Sequence, residues 1–257
     1  MVAKVRFVVA YEGTRYSGWQ LQADDPTVQE AMEQAVQAIE GKPVRVLGAS
    51  RTDQGVHALG QVAWADTERP LAPERYRAAL NHFLPADIRV RLCDLPDAEF
   101  RPLKGVIEKT YVYRIDLAEV PDPLLRRIAL HRPGPMDVPA MRTAIATLLG
   151  THDFAAFGGA GSPRRSTVRT IREVQVLEEG QGIEVRLTAD GFLYHMVRHI
   201  VGLLISVGQG RAELPSLGKV LVDGPPPHGL PLAPAHGLTL LGIAYGPPNP
   251  LDSRHVR

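Results

Sequence analysis

The stretch Ala49-Ser50-Arg51-Thr52-Asp53-Gln54-Gly55-Val56-His57-Ala58 lies between two apolar runs, one holding Val44, Val46 and Leu47, the other Val62, Ala63 and Trp64. That flanking predicts a loop joining two strands. Ten residues gather a guanidinium, a hydroxyl, a carboxylate, a glycine and an imidazole, a polar density that adds nothing to a core. One reading is a polar turn, because Asp and Gly are ordinary turn residues. The other is a reactive carboxylate: an aspartate is ionised at neutral pH without tuning, and in a dry, oriented pocket it serves as nucleophile or base.

Outward from this loop, residues 4–11 read as a strand, with Val5, Phe7 and Val9 alternating onto one face. Gly13-Thr14-Arg15-Tyr16-Ser17-Gly18-Trp19-Gln20 follows as an irregular loop. Thr27-x-x-Glu30 is a capping box that opens a helix to about Glu40, and Gly41 stops it. Val28, Met32, Ala35, Val36 and Ile39 form its apolar stripe. Strands at 43–48 and 61–66, a helix from Pro73 to Phe83 and a strand at 88–95 complete a strand-helix-strand-strand-helix-strand order. That order predicts a ferredoxin-like unit with an antiparallel sheet.

A long strand at 106–116 comes next, then a connection with five prolines between Pro121 and Pro139. A second half is predicted from a helix at 139–149, strands at 168–178 and 182–189, a helix at 193–207 and a last strand at 238–245. The expected fold class is α/β of the α+β type: two ferredoxin-like halves, each with a mainly antiparallel sheet flanked by helices. The expected division is 1–116, a connection at 117–138, 139–246 and a tail at 247–257.

Three further constellations could carry chemistry. In Phe192-Leu193-Tyr194-His195-Met196-Val197-Arg198-His199-Ile200, helical spacing would put Tyr194 and Arg198 on one face. Arg198 then reads either as a surface residue or as a cation that needs an anion, since burying a lone guanidinium is costly. His195 and His199 are spaced i, i+4, but Met196 stands where a zinc-protease motif needs Glu. No Cys or acidic cluster completes a site, so packing or RNA contact is the better reading. In Lys109-Thr110-Tyr111-Val112-Tyr113, strand spacing puts both tyrosines on one face, as core aromatics or as a platform for a flat ligand. Arg126, Arg127 and Arg132, and then Arg164, Arg165, Arg169 and Arg172, form acid-poor runs: solvated faces or phosphate contacts.

Composition narrows the class. A chain of 257 residues with 44% hydrophobic and 22% charged side chains is an ordinary globular protein able to bury a sizeable core. Only five of its 29 basic residues are Lys, a preference for Arg that fits phosphate recognition or heat stability equally. Cys93, the single cysteine, excludes an internal disulfide and a cysteine metal cluster. The N-terminus enters a strand pattern directly and no apolar run reaches membrane-spanning length, so a cytoplasmic protein is expected.

The string Arg51-Thr52-Asp53-x-Gly55-Val56-His57-Ala58-Leu59-Gly60-Gln61-Val62 closely resembles the signature of the tRNA pseudouridine synthase A family. The segments around Gly13–Gln20, Lys109–Tyr113, His152–Phe154 and Gly191–Gly202 resemble others of that family. One departure is Ser50, where the family usually carries Gly.

The resemblance implies a pseudouridine synthase fold and isomerisation of uridine in the anticodon arm of tRNA, at tRNA positions 38, 39 and 40. It implies Asp53 as the catalytic residue, paired with Arg198, and Tyr111 against the target base. Arg51 becomes the candidate to occupy the vacated stack or to steer the flipped base, with His57 as a further substrate-binding residue. Phe100-Arg101-Pro102-Leu103-Lys104 occupies a tRNA-contacting segment, with Leu103 and Lys104 departing from the family pattern; beside such a site the acid-poor run with Arg164 and Arg165 becomes a candidate for tRNA phosphate contact. No cofactor or metal is implied; a homodimer is. A non-catalytic RNA-binding module and a carboxylate-nucleophile hydrolase of a small substrate are the competing readings.

Overall fold

A computed structural model describes residues 2–69, 71–96, 100, 102–103, 105–159, 166–212 and 216–246. The chain runs β1 (Ala3–Tyr11), α1 (Val28–Glu40), β2 (Leu47–Gly48), β3 (His57–Thr67), α2 (Pro73–Phe83), β4 (Ile88–Asp94), β5 (Val106–Asp116), β6 (Leu130–His131), α3 (Val138–Ala146), β7 (Gly150–Asp153), β8 (Val168–Glu179), β9 (Gly182–Ala189), α4 (Met196–Gly208), α5 (Ser216–Asp223) and β10 (Leu238–Tyr245). It forms two compact units. The first comprises residues 1–107 together with 240–257; the second is the continuous segment 108–239.

In the first unit the capping box forms as the sequence requires: Thr27 Oγ1 accepts the Glu30 N–H at 3.2 Å, and Gly41 ends α1 with φ 77°. Val28, Met32, Ala35, Val36 and Ile39 are buried. β1 pairs antiparallel with β3 on one side and β4 on the other, and β2 pairs antiparallel with β3. The resulting order β4-β1-β3-β2 is that of a ferredoxin-like unit. Phe7 and Val9 on β1 are fully enclosed, and Phe7 stacks on Tyr76 of α2 at 6.0 Å between ring centroids.

The starts of β2 and β3 differ from the sequence pattern, and each difference has an identifiable cause. β2 is confined to Leu47–Gly48 rather than 43–48. Pro43 has no N–H to give a ladder, and the Val46 N–H is taken by Glu33 Oε1 of α1 at 3.1 Å. β3 begins at His57, four residues earlier than apolar alternation suggests, because His57 and Gln61 are buried with their polar atoms satisfied by side-chain hydrogen bonds.

In the second unit β5, β9, β8 and β7 are successive antiparallel neighbours. β5, β9 and β8 repeat the first-third-second arrangement of β1, β3 and β2. Leu130 and His131, within the proline-rich connection, form β6 and pair parallel with Ile115 and Asp116. α4 packs on α3 so closely that a Cβ on Gly208 would stand 2.7 Å from Met141 Sδ. β7 and α5 have no counterpart in the sequence reading; β7 is the polar tetrapeptide Gly150-Thr151-His152-Asp153, which carries no apolar alternation. No helix among the described residues is long and apolar enough to cross a membrane.

Phe7→Ala opens a cavity under α2 and removes the Tyr76 stack. It is expected to cost about 3–5 kcal/mol, seen as a lower urea midpoint with an unchanged m-value.

Candidate active site

Residues 49–56 leave β2 and enter β3 without regular structure, so their backbone groups must find partners elsewhere. β3 supplies the first. The Ala49 N–H bonds the Val62 carbonyl at 2.8 Å. Gln61, fully enclosed, reads the Ser50 peptide from both sides: its Oε1 accepts the Ser50 N–H at 3.1 Å and its Nε2 donates to the Ser50 carbonyl at 2.6 Å. The Tyr11 hydroxyl, at the end of β1, meets Thr52 Oγ1 at 2.8 Å in a buried contact and lies 3.5 Å from Gln61 Nε2.

The Gly13–Trp19 loop supplies the rest. The Trp19 N–H donates to the Thr52 carbonyl and the Gly55 N–H to the Tyr16 carbonyl, both at 3.2 Å. The two main chains touch directly. A Cβ on Gly13 would run into the Val56 carbonyl, and one on Gly18, whose φ is +92°, into the Thr52 carbonyl. His57 closes the contact: its Nδ1 accepts the Gly13 N–H at 2.9 Å. Glu12 Oε1 is 3.6 Å from the same nitrogen. The Nδ1 lone pair is already used by Gly13, so that approach is a neighbour contact and not an ion pair.

Asp87, just before β4, anchors the outer side of the Gly13–Trp19 loop. Its Oδ1 accepts from the Tyr16 hydroxyl at 2.8 Å and its Oδ2 from Arg15 at 2.9 and 2.6 Å. Burial pushes the Asp87 carboxyl up, but hydrogen bonds from Tyr16 and Arg15 outweigh it and hold it below the ordinary range. Burial and the bond to Asp87 push the Tyr16 hydroxyl up to about 12.

Within this frame Ala49, Ser50, Thr52, Val56 and His57 are buried, Arg51 is exposed and Asp53 is half-buried. The Asp53 carbonyl accepts the Val56 N–H at 3.1 Å in a tight turn, with Gly55 at φ 76°. Ser50 fits without strain: among the described residues His195 is the only non-glycine with positive φ, so position 50 does not demand glycine. Gln61, Tyr11 and Asp87 are the residues that sequence reasoning missed. A glutamine inside an otherwise apolar strand was the available signal.

In the second unit Tyr111 is buried on β5 opposite Leu187, and its ring meets Phe192 edge to face at 5.2 Å and 89°. Tyr113, on the same face, is fully enclosed and its hydroxyl donates to the Pro234 carbonyl at 2.9 Å. Arg198 lies in the first turn of α4. Its Nε donates to the Ala233 carbonyl at 2.8 Å, and the Ala233 N–H returns a bond to the Arg198 carbonyl at 3.1 Å. Burial pushes the Tyr113 hydroxyl up, and the positive field of Arg198 partly offsets this.

Helix α4 starts at Met196, because His195 takes a left-handed conformation with φ 61°. Tyr194 is therefore outside the helix and shares no helical face with Arg198; it stacks on the His195 ring at 3.7 Å. His199 Nδ1 donates to the Phe157 carbonyl at 2.8 Å. Of the Phe100–Lys104 segment, Phe100 packs against Tyr245 at 5.1 Å and under the Arg6 guanidinium, the Pro102 carbonyl accepts from the Tyr245 hydroxyl, and Leu103 is exposed. Arg101, Lys104, Arg164 and Arg165 lie outside the described residues.

The tRNA pseudouridine synthase family model matches residues 7–99 and 144–246. The chain belongs to that family. It is similar to the tRNA pseudouridine synthase A of Acetivibrio thermocellus, with 38% identity over 94% of this chain and 99% of that protein. Two further enzymes of the same name, from Shouchella clausii and Methylacidiphilum infernorum, are 41% and 40% identical over 93% and 96% of this chain and 92% and 97% of theirs. Among solved structures, a chain of a Cbf5-Nop10-Gar1 complex aligns at TM-score 0.35 and 12% identity, over 93% of this chain and 58% of that one, a likeness too slight to argue from. As a family member the chain is an isomerase acting on uridine in tRNA, and the hydrolase reading falls away.

Gln61→Met strands the buried Ser50 N–H and carbonyl. It is expected to lower stability by about 1–3 kcal/mol and to speed amide hydrogen exchange across residues 49–56, read by mass spectrometry. Asp87→Asn should remove part of the acid sensitivity. Because the folded carboxyl of Asp87 is held low, its contribution is complete above the unfolded aspartate range and is lost as pH falls through the folded value. The wild type is therefore expected to lose more melting temperature than the variant between pH 6 and pH 3.

Proposed function

We propose that this isomerase converts uridine to pseudouridine at tRNA positions 38, 39 and 40, in the anticodon arm, with Asp53 as the catalytic carboxylate. The observation that supports this reading best is the pinning of the Asp53 loop. Ala49, Ser50, Thr52, Gly55 and Val56 are held by hydrogen bonds to Val62, Gln61, Tyr11, Trp19, Tyr16 and the Asp53 carbonyl, and Asp53 itself is half-buried. Such preorganisation serves a reaction in which the attacking group must be aimed before the base arrives.

In the reaction the N1–C1′ glycosidic bond breaks, the uracil turns, and a C5–C1′ bond forms. The C5 proton leaves to water and N1 is left protonated, so atoms and electrons balance with no oxidant, reductant or leaving group. Asp53 acts on the base or on the ribose as the covalent partner. Arg198 pairs with it and keeps it ionised and oriented. Tyr111, braced by Phe192, offers a ring for the uracil to rest on while its glycosidic bond is open. Flipping the uridine costs a few kcal/mol, recovered from Arg51 beside Asp53, from the Phe100–Lys104 segment and from Arg164 and Arg165. His57 serves the substrate through the loop that it pins. The protein works in the cytoplasm as a homodimer holding one tRNA.

The test is tritium release from unmodified tRNA labelled at uracil C5. Wild-type protein is expected to release tritium to water, and Asp53→Asn to release none while still binding tRNA. Binding without release by the wild type would leave only an RNA-binding module.

A further inference from the structure

Of the seven tyrosines in the chain, six are buried; Tyr194 is 45% exposed. It sits in the connector from β9 to α4, residues 190–195, which is fixed at both ends. The Asp190 N–H donates to the Thr170 carbonyl at 3.1 Å, and Asp190 Oδ1 accepts the Thr170 N–H at 3.0 Å. The Gly159 N–H donates to the Tyr194 carbonyl at 2.8 Å, and the Met196 N–H to the Leu193 carbonyl at 3.1 Å. Leu193 is buried and anchors the middle of the connector.

One face of the Tyr194 ring is taken by His195, with centroids 3.7 Å apart and planes 23° from parallel. The stack needs an unusual backbone. Among the described residues His195 is the one non-glycine with positive φ, a torsion that a side-chain-bearing residue keeps only where its surroundings hold it. Gly159 makes room for the pair: a Cβ there would stand 2.9 Å from Tyr194 Cδ1 and 3.0 Å from His195 Nδ1. Strained torsions of this kind gather at binding sites, and here the strain accompanies an aromatic ring propped up at the surface. Phe192, two residues earlier in the same connector, braces Tyr111 edge to face at 5.2 Å. Tyr194 thus belongs to the segment that also supports the ring read above as the seat of the target uracil.

We infer that the Tyr194 ring, propped by His195, is a stacking platform for a second base of the tRNA, a neighbour of the flipped uridine. The assignment rests on the reading of Tyr111 as the ring beneath the target uracil.

Flipping one nucleotide out of the stack deprives its neighbours of a partner, and an aromatic side chain replaces that partner. Every base has a π face, so stacking of this kind tolerates any neighbour. That tolerance suits an enzyme that accepts uridine at three adjacent tRNA positions, each with different flanking bases. The contact uses the ring and not the hydroxyl.

The experiment measures Kd for the wild type, Tyr194→Phe and Tyr194→Leu, using unmodified tRNA, intact or made abasic at single nucleotides beside the target uridine. Tritium release by the wild type is run alongside. Tyr194→Leu, apolar but without a π face, should raise Kd about tenfold, whereas Tyr194→Phe should bind as the wild type does. One abasic position should weaken the wild type by the same factor and weaken Tyr194→Leu no further, as expected of two groups that touch each other. A loss of folding stability alone would leave the two effects additive. Wild-type affinity in Tyr194→Leu, an equal loss in Tyr194→Phe, or additive losses at every abasic position overturns the platform, and leaves the isomerase intact if tritium is released. Absence of tritium release from the wild type removes the parent reading itself.

Discussion

The loop that carries Asp53 depends on one constraint, the approach of two main chains without side chains between them. Gly13 and Gly18 let the Gly13–Trp19 loop lie against residues 52–56 closely enough for peptide groups to bond each other. An irregular loop has no ladder to satisfy its amides, and in a buried setting each unmet group is costly. Here the partners come from the neighbouring loop, from Gln61 on β3 and from Tyr11 on β1. The stretch that carries Asp53 is thus fixed through its backbone.

The second unit solves a different problem. Its groups near Tyr111 and Arg198 are held by carbonyl oxygens: Ala233 takes the Arg198 Nε, Pro234 the Tyr113 hydroxyl, and Ser166 and Val168 the Arg169 guanidinium. Each carbonyl fixes the direction of a side chain through a single aligned bond. Glu184 shows the contrast: on β9 it takes up both Arg114 and Arg186 in ion pairs, and those cations are committed to the protein itself.

What the sequence made legible was local. The capping box of α1, its apolar stripe and the alternation of β1 rest on neighbours in the chain, and each appears where the pattern puts it. The dense motif around Asp53 pointed to the family to which the chain belongs. β2 and β3 were misjudged at their ends because the deciding bonds come from afar, Glu33 to Val46 and Gln61 to Ser50. Tyr194 leaves the helix because of a single backbone torsion at His195, which no periodicity reports. Gln61 and Tyr11 escaped notice for the same reason: their value lies in register across the sheet.

The first unit is interrupted in the chain, its final strand segment beginning at Leu240 after all 132 residues of the second have been made. On a ribosome adding about 5–20 residues per second, that gap lasts on the order of ten seconds. During it β3, the strand that carries Gln61 and His57, has β1 on one side, but on the other only the two residues of β2. The surface of Gly60 that will lie against Leu241 stays uncovered. The nascent protein therefore completes the sheet behind the Asp53 loop last, and a chain truncated before Leu240 would hold every residue of that loop without the strand that backs it.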